Sequence, residues 1–535
     1  MNRTIILSLA ILLMASCTPE KISNSTSSVL KAPSDIVVSQ KDEHRLDVSW
    51  KDTNSSEKGY EIYLIFTNDV DHPVLKGSVE ADVTNYLIED EKIQPSKKYY
   101  VGVKAKATDE KYDSKMAKVL FETAAPPDPN APKVSAFTAK GHNSCVVAEF
   151  EIINYKQVSE AGVCWSVDGE PNIKSDHQMS VIDADGKSML VISNAILDYG
   201  KEYSFRPYLK YEKEYIYGES VKSSLGKELE AITLDWKNET VLGLPSSVKL
   251  YSYDGTLNGR NCKAWYAIAD LSGGDVEFKV SIPDKATTID DQYNQAGNCL
   301  VMVNGGYFYS GKNTGLAYVN GSASGSVTSV RGSLKSEDSE YNEMYVITRG
   351  IFGVDADGKA SVYWTATSPD NTHFFYNRPL PTVKGEAKYG IVSASVPSTS
   401  VSWAPKYAQS AGPLLLINGK CPFDFESTPK GADYYYTNYE IIPYDIWGED
   451  VIPDRTAAGY TADGKIVLFI VDGRIDSSRG ANLVELAQIM KGLGCVGAVN
   501  FDGGGSTGMM AGGKHLNDLT GGNRPVVSTL GFYKK

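Results

Sequence analysis

Three apolar stretches of this chain each run into a polar or glycine-rich turn. Leu300–Val303 leads into Asn304-Gly305-Gly306-Tyr307-Phe308, and Ile466–Val471 leads into Asp472-Gly473-Arg474. Val496–Asn500 leads through Phe501 into Asp502-Gly503-Gly504-Gly505-Ser506-Thr507. Polar residues held on tight turns at strand ends are the raw material of sites built on rigid scaffolds. Glycine permits positive φ and lets backbone approach a ligand closely. Consecutive N–H groups in such turns form a nest for an anion. The chemistry within reach is therefore proton transfer or nucleophilic attack by a carboxylate beside a bound anion.

The elements that would hold these turns can be read from the spacing. Between the last two strands lies one amphipathic helix. Asn482 can cap it, Leu483, Leu486, Met490 and Leu493 share a face, and Gly494 is placed to end it. Glu485 lies beside that stripe in the first turn. A strand, a helix and a strand thus join the Asp472 and Asp502 turns. Such a unit puts both carboxylates at one end of neighbouring parallel strands.

Five segments appear in a fixed order: Asn304-Gly-Gly-Tyr-Phe308, Arg455-Thr-Ala-Ala-Gly459, Val471-Asp-Gly473, Arg479-Gly-Ala-Asn-Leu-Val-Glu-Leu-Ala487 and Asn500-Phe-Asp-Gly-Gly-Gly-Ser506. Together they resemble the motifs of the phosphodiester glycosidase family over about 300 residues. Phe501 stands where a leucine is usual, and Gly508-Met509-Met510 follows the triple glycine; both read as packing changes. The resemblance implies an α/β domain, built as an α+β mixed sheet, that hydrolyses a sugar-1-phosphate diester of the GlcNAc-1-phosphodiester kind. It leaves the sugar open.

Within that resemblance the residues take roles. Cleavage at the anomeric carbon expels a phosphate monoester, a good leaving group, so a strong general acid matters less than in ordinary glycosidases. The remaining needs are a holder for the phosphate and a carboxylate to activate water or stabilise the developing cation. Asp472, Asp502 and Glu485 are the catalytic candidates. Arg455 is the expected phosphate ligand, because a guanidinium grips oxygens in pairs. Asn304, Gly305, Thr456, Gly503, Gly504, Ser506 and Thr507 complete the expected substrate- and phosphate-binding set. Structural roles stay open beside these. Asp472 and Asp502 can simply brace their turns, Glu485 can answer the helix dipole, and Arg455 can pair with Asp454. No cofactor is required by this chemistry, although Asp472 and Asp502 can also hold a hard cation such as Ca²⁺.

Gly504-Gly-Ser-Thr-Gly508 matches the nucleophile elbow of a serine hydrolase. That reading fails on order, since only His515 and then Asp518 follow closely. The six histidines form no HExxH pair, which disfavours a histidine-based zinc hydrolase. The rival reading is a non-catalytic, glycan-binding surface lipoprotein whose last domain has lost turnover.

The rest of the chain reads as a delivery and presentation system. At 535 residues it needs three or four domains. Residues 1–16 have a basic start, a short apolar run and small residues before Cys17, which resembles a lipoprotein signal peptide with Cys17 as the lipidated residue. Residues 17–31 are a polar tether. Residues 32–123 resemble a fibronectin type III sandwich through Leu46-Asp-Val-Ser-Trp50, Gly59-Tyr-Glu-Ile-Tyr63 and the Pro95–Tyr99 tyrosine-corner spacing. Residues 124–132 form a proline-rich linker. Residues 133–227 form a second sandwich of the same kind, in which Tyr199–Tyr203 repeats the corner spacing. Its segments resemble the repeats of Bacteroidetes-type surface lipoproteins. Residues 228–535 are then the hydrolytic domain. The expected fold class is multidomain: two all-β immunoglobulin-like sandwiches followed by the α/β catalytic domain.

Two global features fit. The net charge of −13 argues against nucleic acid as the partner. The 33 tyrosines against 15 phenylalanines suit β-structure and wet sugar faces. The expected partners are a glycan or sugar phosphate and, through the anchor, a membrane. The expected place is the cell envelope, at the outer membrane. Besides Cys17 there are six cysteines with no CxxC spacing, which can pair or remain buried thiols.

Overall fold

A computed structural model describes residues 28–126, 128–180, 182, 185–327, 330–331, 344–346, 348–368, 370–379, 383–384, 401–424, 440 and 450–535. Cys17 and the segment before it lie outside the described residues. The chain divides into two compact units at Ala131/Pro132. Every strand pair among the described residues used below is antiparallel.

The first unit is a two-sheet sandwich. Strands Ser34–Gln40, Arg45–Lys51 and Asn85–Glu89 form one sheet; Val74–Glu80, Gly59–Phe66, Lys98–Lys106 and Ala117–Glu122 form the other. Arg45–Lys51 alternates strictly, with Leu46, Val48 and Trp50 buried and their neighbours exposed, as a half-buried strand must. The corner forms as its spacing predicts. The Tyr99 hydroxyl accepts the Gln94 N–H at 2.8 Å and donates to the Lys92 carbonyl. In the second sandwich the Tyr203 hydroxyl accepts the Asp198 N–H at 3.0 Å, over the same five-residue offset.

The second sandwich and the C-terminal domain share one unit. The Asn194 side chain donates to the Cys421 carbonyl at 2.7 Å, Lys420 pairs with Asp198 at 2.9 Å, and Ser144 bonds Asp424. The connecting segment packs onto the domain as well. Ile232 N–H donates to the Gln488 carbonyl, and Lys491 pairs with Glu228. The second sandwich is therefore docked to its neighbour rather than strung beside it.

The strands of the C-terminal domain used here are, in chain order, β1 (Lys237–Glu239), β2 (Val248–Leu257), β3 (Arg260–Ala269), β4 (Val276–Ser281), β5 (Cys299–Asn304), β6 (Leu414–Leu416), β7 (Arg455–Thr461), β8 (Ile466–Val471), β9 (Cys495–Asn500), β10 (Met509–Ala511), β11 (Lys514–His515) and β12 (Thr529–Lys534). The helices are α1 (Ile289–Ala296) and α2 (Leu483–Gly492). A seven-stranded sheet has the order β1-β2-β3-β8-β7-β9-β6, and a five-stranded sheet the order β4-β12-β5-β10-β11. With two α-helices among its described residues, the domain is mostly β.

The apolar run of β8 is buried on both faces, which explains why it does not alternate. Ile466, Leu468 and Ile470 join a core with Val301, Val303, Leu530 and Phe532 of the five-stranded sheet. Val467, Phe469 and Val471 face α2, through Leu483, Leu486, Ile489 and Met490. Each of these four helix side chains contributes about 1.5–3 kcal/mol by burial. Asn482 and Glu485 close a capping box at the helix start, and Gly494 takes φ +81 just past its end.

One expectation is corrected by the strand order. β8 and β9 run in the same direction but are not neighbours, because β7 lies between them and pairs antiparallel with both. The hairpin from β7 to β8, turning through Asp463-Gly464, inserts it there. Because β7 runs the opposite way, its first residue, Arg455, lies in register with Val471 at the end of β8. The start of β7 and the ends of β8 and β9 thus meet at one edge of the sheet.

Candidate active site

At that edge the chain makes three close passes. The Asn304 side chain donates to the Asp502 carbonyl at 2.6 Å and accepts from the Thr456 hydroxyl at 2.6 Å and the Gly508 N–H at 3.2 Å. Gly305 accepts the Asp502 N–H. Asn304 and Thr456 are almost wholly buried. They sew β5, β7 and the glycine loop together, so their work is positioning. The loop itself runs tightly over the start of β7. A Cβ on Gly503 would fall 2.6 Å from the Asp454 carbonyl oxygen, and Gly504 sits at φ +60 with the Arg474 guanidinium about 3.1 Å from where its Cβ would be. The backbone contact at Gly503 leaves no room for a side chain, and the left-handed conformation at Gly504 favours glycine.

Asp502 is the carboxylate that opens to solvent: its side chain retains 19% exposure. Burial raises its pKa, opposed by the nearby Ser506 hydroxyl and the Arg524 guanidinium. Arg524 stands 3.9 Å from Asp502 and over the Phe308 ring at 5.1 Å from its centre. Arg474 donates to Asp454 at 2.8 Å, with half of its side chain exposed. Two guanidinium groups therefore flank the Gly503–Gly505 loop beside the partly exposed Asp502 carboxylate.

Asp472 lies deeper, fully buried, and burial pushes its carboxyl up to about 6. One oxygen accepts the Asp518 N–H at 3.0 Å and the other has no hydrogen-bond partner. Asp454, also buried, accepts from Arg474 and from the Thr520 hydroxyl. Asp472 and Asp454 together brace the segment 517–520 that leads toward Arg524.

Unpaired buried polar atoms concentrate here: Asp472 Oδ1, Asn500 Oδ1, Ser506 Oγ and Thr507 Oγ1. Buried polar atoms are nearly always hydrogen-bonded, and a ligand, an ordered water or local strain accounts for the exceptions. The Ser506 hydroxyl sits close enough to Asp502 to influence it without satisfying bonding geometry.

Two expected site residues are placed elsewhere. Arg455 is buried, with its guanidinium donating to the carbonyls of Ala481 and Val451 at 3.1 and 3.2 Å. Burial lowers its pKa to about 10. Its charge props the backbone beneath the loop rather than facing a ligand. Glu485 is saturated: it accepts from Arg260 at 2.5 and 2.7 Å, from Asn258 at 2.6 Å and from the Asn482 N–H at 2.9 Å. Its carboxylate is a helix-cap and ion-pair group. The sequence carried that signal, since Asn482-x-x-Glu485 is a capping box. Gly305 accepts and donates only backbone bonds, to Asp502 and Ser528.

Two cations were missed. Arg474 sits in the very turn that carries Asp472, but its direction depends on a left-handed backbone at φ 61, which spacing alone does not reveal. Arg524 follows an irregular segment and has no sequence signal. For a metal, the three clustered acidic ligand atoms among the described residues belong to Asp52, Glu57 and Asp82 of the first sandwich. Asp472 and Asp502 belong to no such group.

Residues 297–533 match the family model for phosphodiester glycosidase. The human N-acetylglucosamine-1-phosphodiester alpha-N-acetylglucosaminidase is 46% identical over 57 residues, 11% of this chain and 11% of that protein. An SPbeta prophage-derived uncharacterized protein of Bacillus subtilis is 38% identical over 77 residues, 14% of this chain and 12% of its own length. The chain thus spans only about a tenth of the length of these relatives. Among solved structures, the zebrafish N-acetylglucosamine-1-phosphodiester alpha-N-acetylglucosaminidase catalytic domain is 19% identical. It covers 57% of this chain and 89% of that one, at a TM-score of 0.35.

Proposed function

We propose that residues 228–535, of which 297–533 match the phosphodiester glycosidase model, hydrolyse a sugar-1-phosphate diester on a glycan. The reaction releases the sugar and leaves a phosphomonoester. The observation that carries this reading is the pairing of one solvent-reaching carboxylate, Asp502, with two guanidinium groups on a glycine loop. The diester phosphate would lie against Arg474, Arg524 and the Gly503–Gly505 backbone, where paired N–H donors suit its oxygens. The anomeric carbon then faces Asp502. Its carboxylate takes a proton from the attacking water, or attacks the carbon itself to form a glycosyl ester that water then hydrolyses, releasing the sugar and restoring Asp502. The carbon–oxygen bond to phosphate breaks, and the electron pair leaves with the phosphate, stabilised by the two arginines. Asp472 holds the 517–520 segment and acts on the reaction through it. The GlcNAc preference rests on what the relatives' names say of those proteins.

The test is release of free GlcNAc from a GlcNAc-1-phospho-6-mannoside by the full chain, with and without EDTA. Release in both establishes the reaction and excludes an accessible essential metal. Release lost to EDTA places a cation in the site. Tight binding without release, across a panel of sugar-1-phosphodiesters, replaces this reading with a non-catalytic glycan-binding role.

The cell-envelope placement is a proposal from Cys17 and the residues before it. Radiolabelled palmitate should enter the wild-type chain expressed in a bacterial host and not the Cys17→Ser variant. Equal labelling of both removes the anchor.

A further inference from the structure

One end of the first sandwich carries three carboxylates that the proposed reaction does not use. Asp52 follows the strand Arg45–Lys51, Glu57 precedes Gly59–Phe66, and Asp82 follows Val74–Glu80. Strands from both sheets therefore deliver them to one place, and one oxygen from each lies within 4.8 Å of the others. Two oxygens bound to one calcium ion at about 2.4 Å can stand no more than about 4.8 Å apart, so three oxygens inside that limit can share one ion. Among the described residues no lysine or arginine is ion-paired with any of the three, and three like charges so close repel unless neutralised.

The second observation concerns Glu57. It is only 8% exposed, and its Oε2 has no hydrogen-bond partner, while the other oxygen accepts the Asp82 N–H at 3.4 Å. A carboxylate oxygen buried without a donor is costly unless something positive meets it. Asp52 is already oriented: its Oδ1 accepts the Asn54 N–H at 2.8 Å and the Tyr60 hydroxyl. Asp82 is exposed at the rim, on a left-handed residue with φ 62.

We propose that Asp52, Glu57 and Asp82 form a calcium site at this end of the first sandwich. The donors are all hard oxygens, with no histidine or cysteine among them, which selects calcium over zinc or copper. Their number and irregular placement suit calcium's flexible shell better than the strict octahedron of magnesium. With three protein carboxylates the affinity belongs in the range of extracellular modules, about 10⁻⁴–10⁻³ M.

Terbium is the probe, because Tyr60 touches Asp52 and lies 5.3 Å from Trp50. Excitation of these rings in the full chain should give sensitised terbium emission that millimolar Ca²⁺ displaces and equal Mg²⁺ does not. Glu57→Gln should weaken terbium binding at least tenfold. Asp82→Asn, at an exposed position, keeps the fold and should weaken it as well. Absence of sensitised emission from the wild-type chain, or emission of equal affinity in Asp82→Asn, overturns the site.

Discussion

Asp502 and Arg524 face each other at 3.9 Å, too far for a good hydrogen bond and close enough for strong mutual influence. That spacing leaves room for a group that bonds both, and it sets the site's electrostatics. The Arg524 charge opposes, without cancelling, the burial that raises the Asp502 pKa. Asp502→Asn should lower turnover by about 10²–10⁴-fold, with circular dichroism unchanged. A wild-type rate in that variant removes Asp502 from the reaction.

Arg524 lies over Phe308, beside Asp502 and against Gly505, with 46% of its side chain exposed. Arg524→Ala should raise KM or lower kcat/KM by about 10–100-fold, the worth of one charge-assisted bond to phosphate. Arg524→Lys keeps the charge but not the fork and should recover part of the loss. Steady-state kinetics on the diester decides it; equal kinetics in all three proteins places the phosphate elsewhere.

Glu485 supplies the contrasting case. Glu485→Gln removes the charge that pairs with Arg260 on a nearly buried carboxylate, while the glutamine oxygen still accepts the Asn482 N–H. The expected loss is about 2–3 kcal/mol of stability with kcat unaffected. Urea denaturation paired with kinetics separates the two effects, and a fall in kcat without a fall in stability would return Glu485 to the chemistry.

Asp472 makes stability depend on pH in a definite direction. Its folded carboxyl titrates at about 6, above its unfolded value. The folded state therefore binds the extra proton between about pH 4 and 6, and stability falls as pH rises through that window. The cost is about 3 kcal/mol above pH 7. Asp472→Asn, which keeps an acceptor for the Asp518 N–H, should flatten the melting temperature of the Pro132–Lys535 unit between pH 4 and 7. Parallel pH profiles for the two proteins would refute it.

What the sequence revealed and what it hid have physical causes. Local signals were readable. Both tyrosine corners, the Asn482–Leu493 helix and the alternating Leu46, Val48 and Trp50 follow from spacing within a few residues. The same local logic brought Asp472 and Asp502 to one end of the sheet. Strand order was not local. β7 was hidden because Arg455–Thr461 is buried on almost every position and so lacks a two-residue alternation, although Asp463-Gly464 was a legible hairpin turn. The direction of side chains was hidden too. Arg455 and Arg474 are of one type, yet the first is drawn inward by two carbonyls while the second swings over Gly504.

The pairing of β12 with β4 on one side and β5 on the other governs how the protein is made. Thr529–Lys534 emerges from the ribosome long after the strands it separates. Until it arrives, β5 lacks its main partner, and Asn304, at its end, has no fixed frame from which to clasp Asp502. Long-range pairings of this kind form slowly. A chain built this way closes the frame around Asp502 only once its last strand has been added.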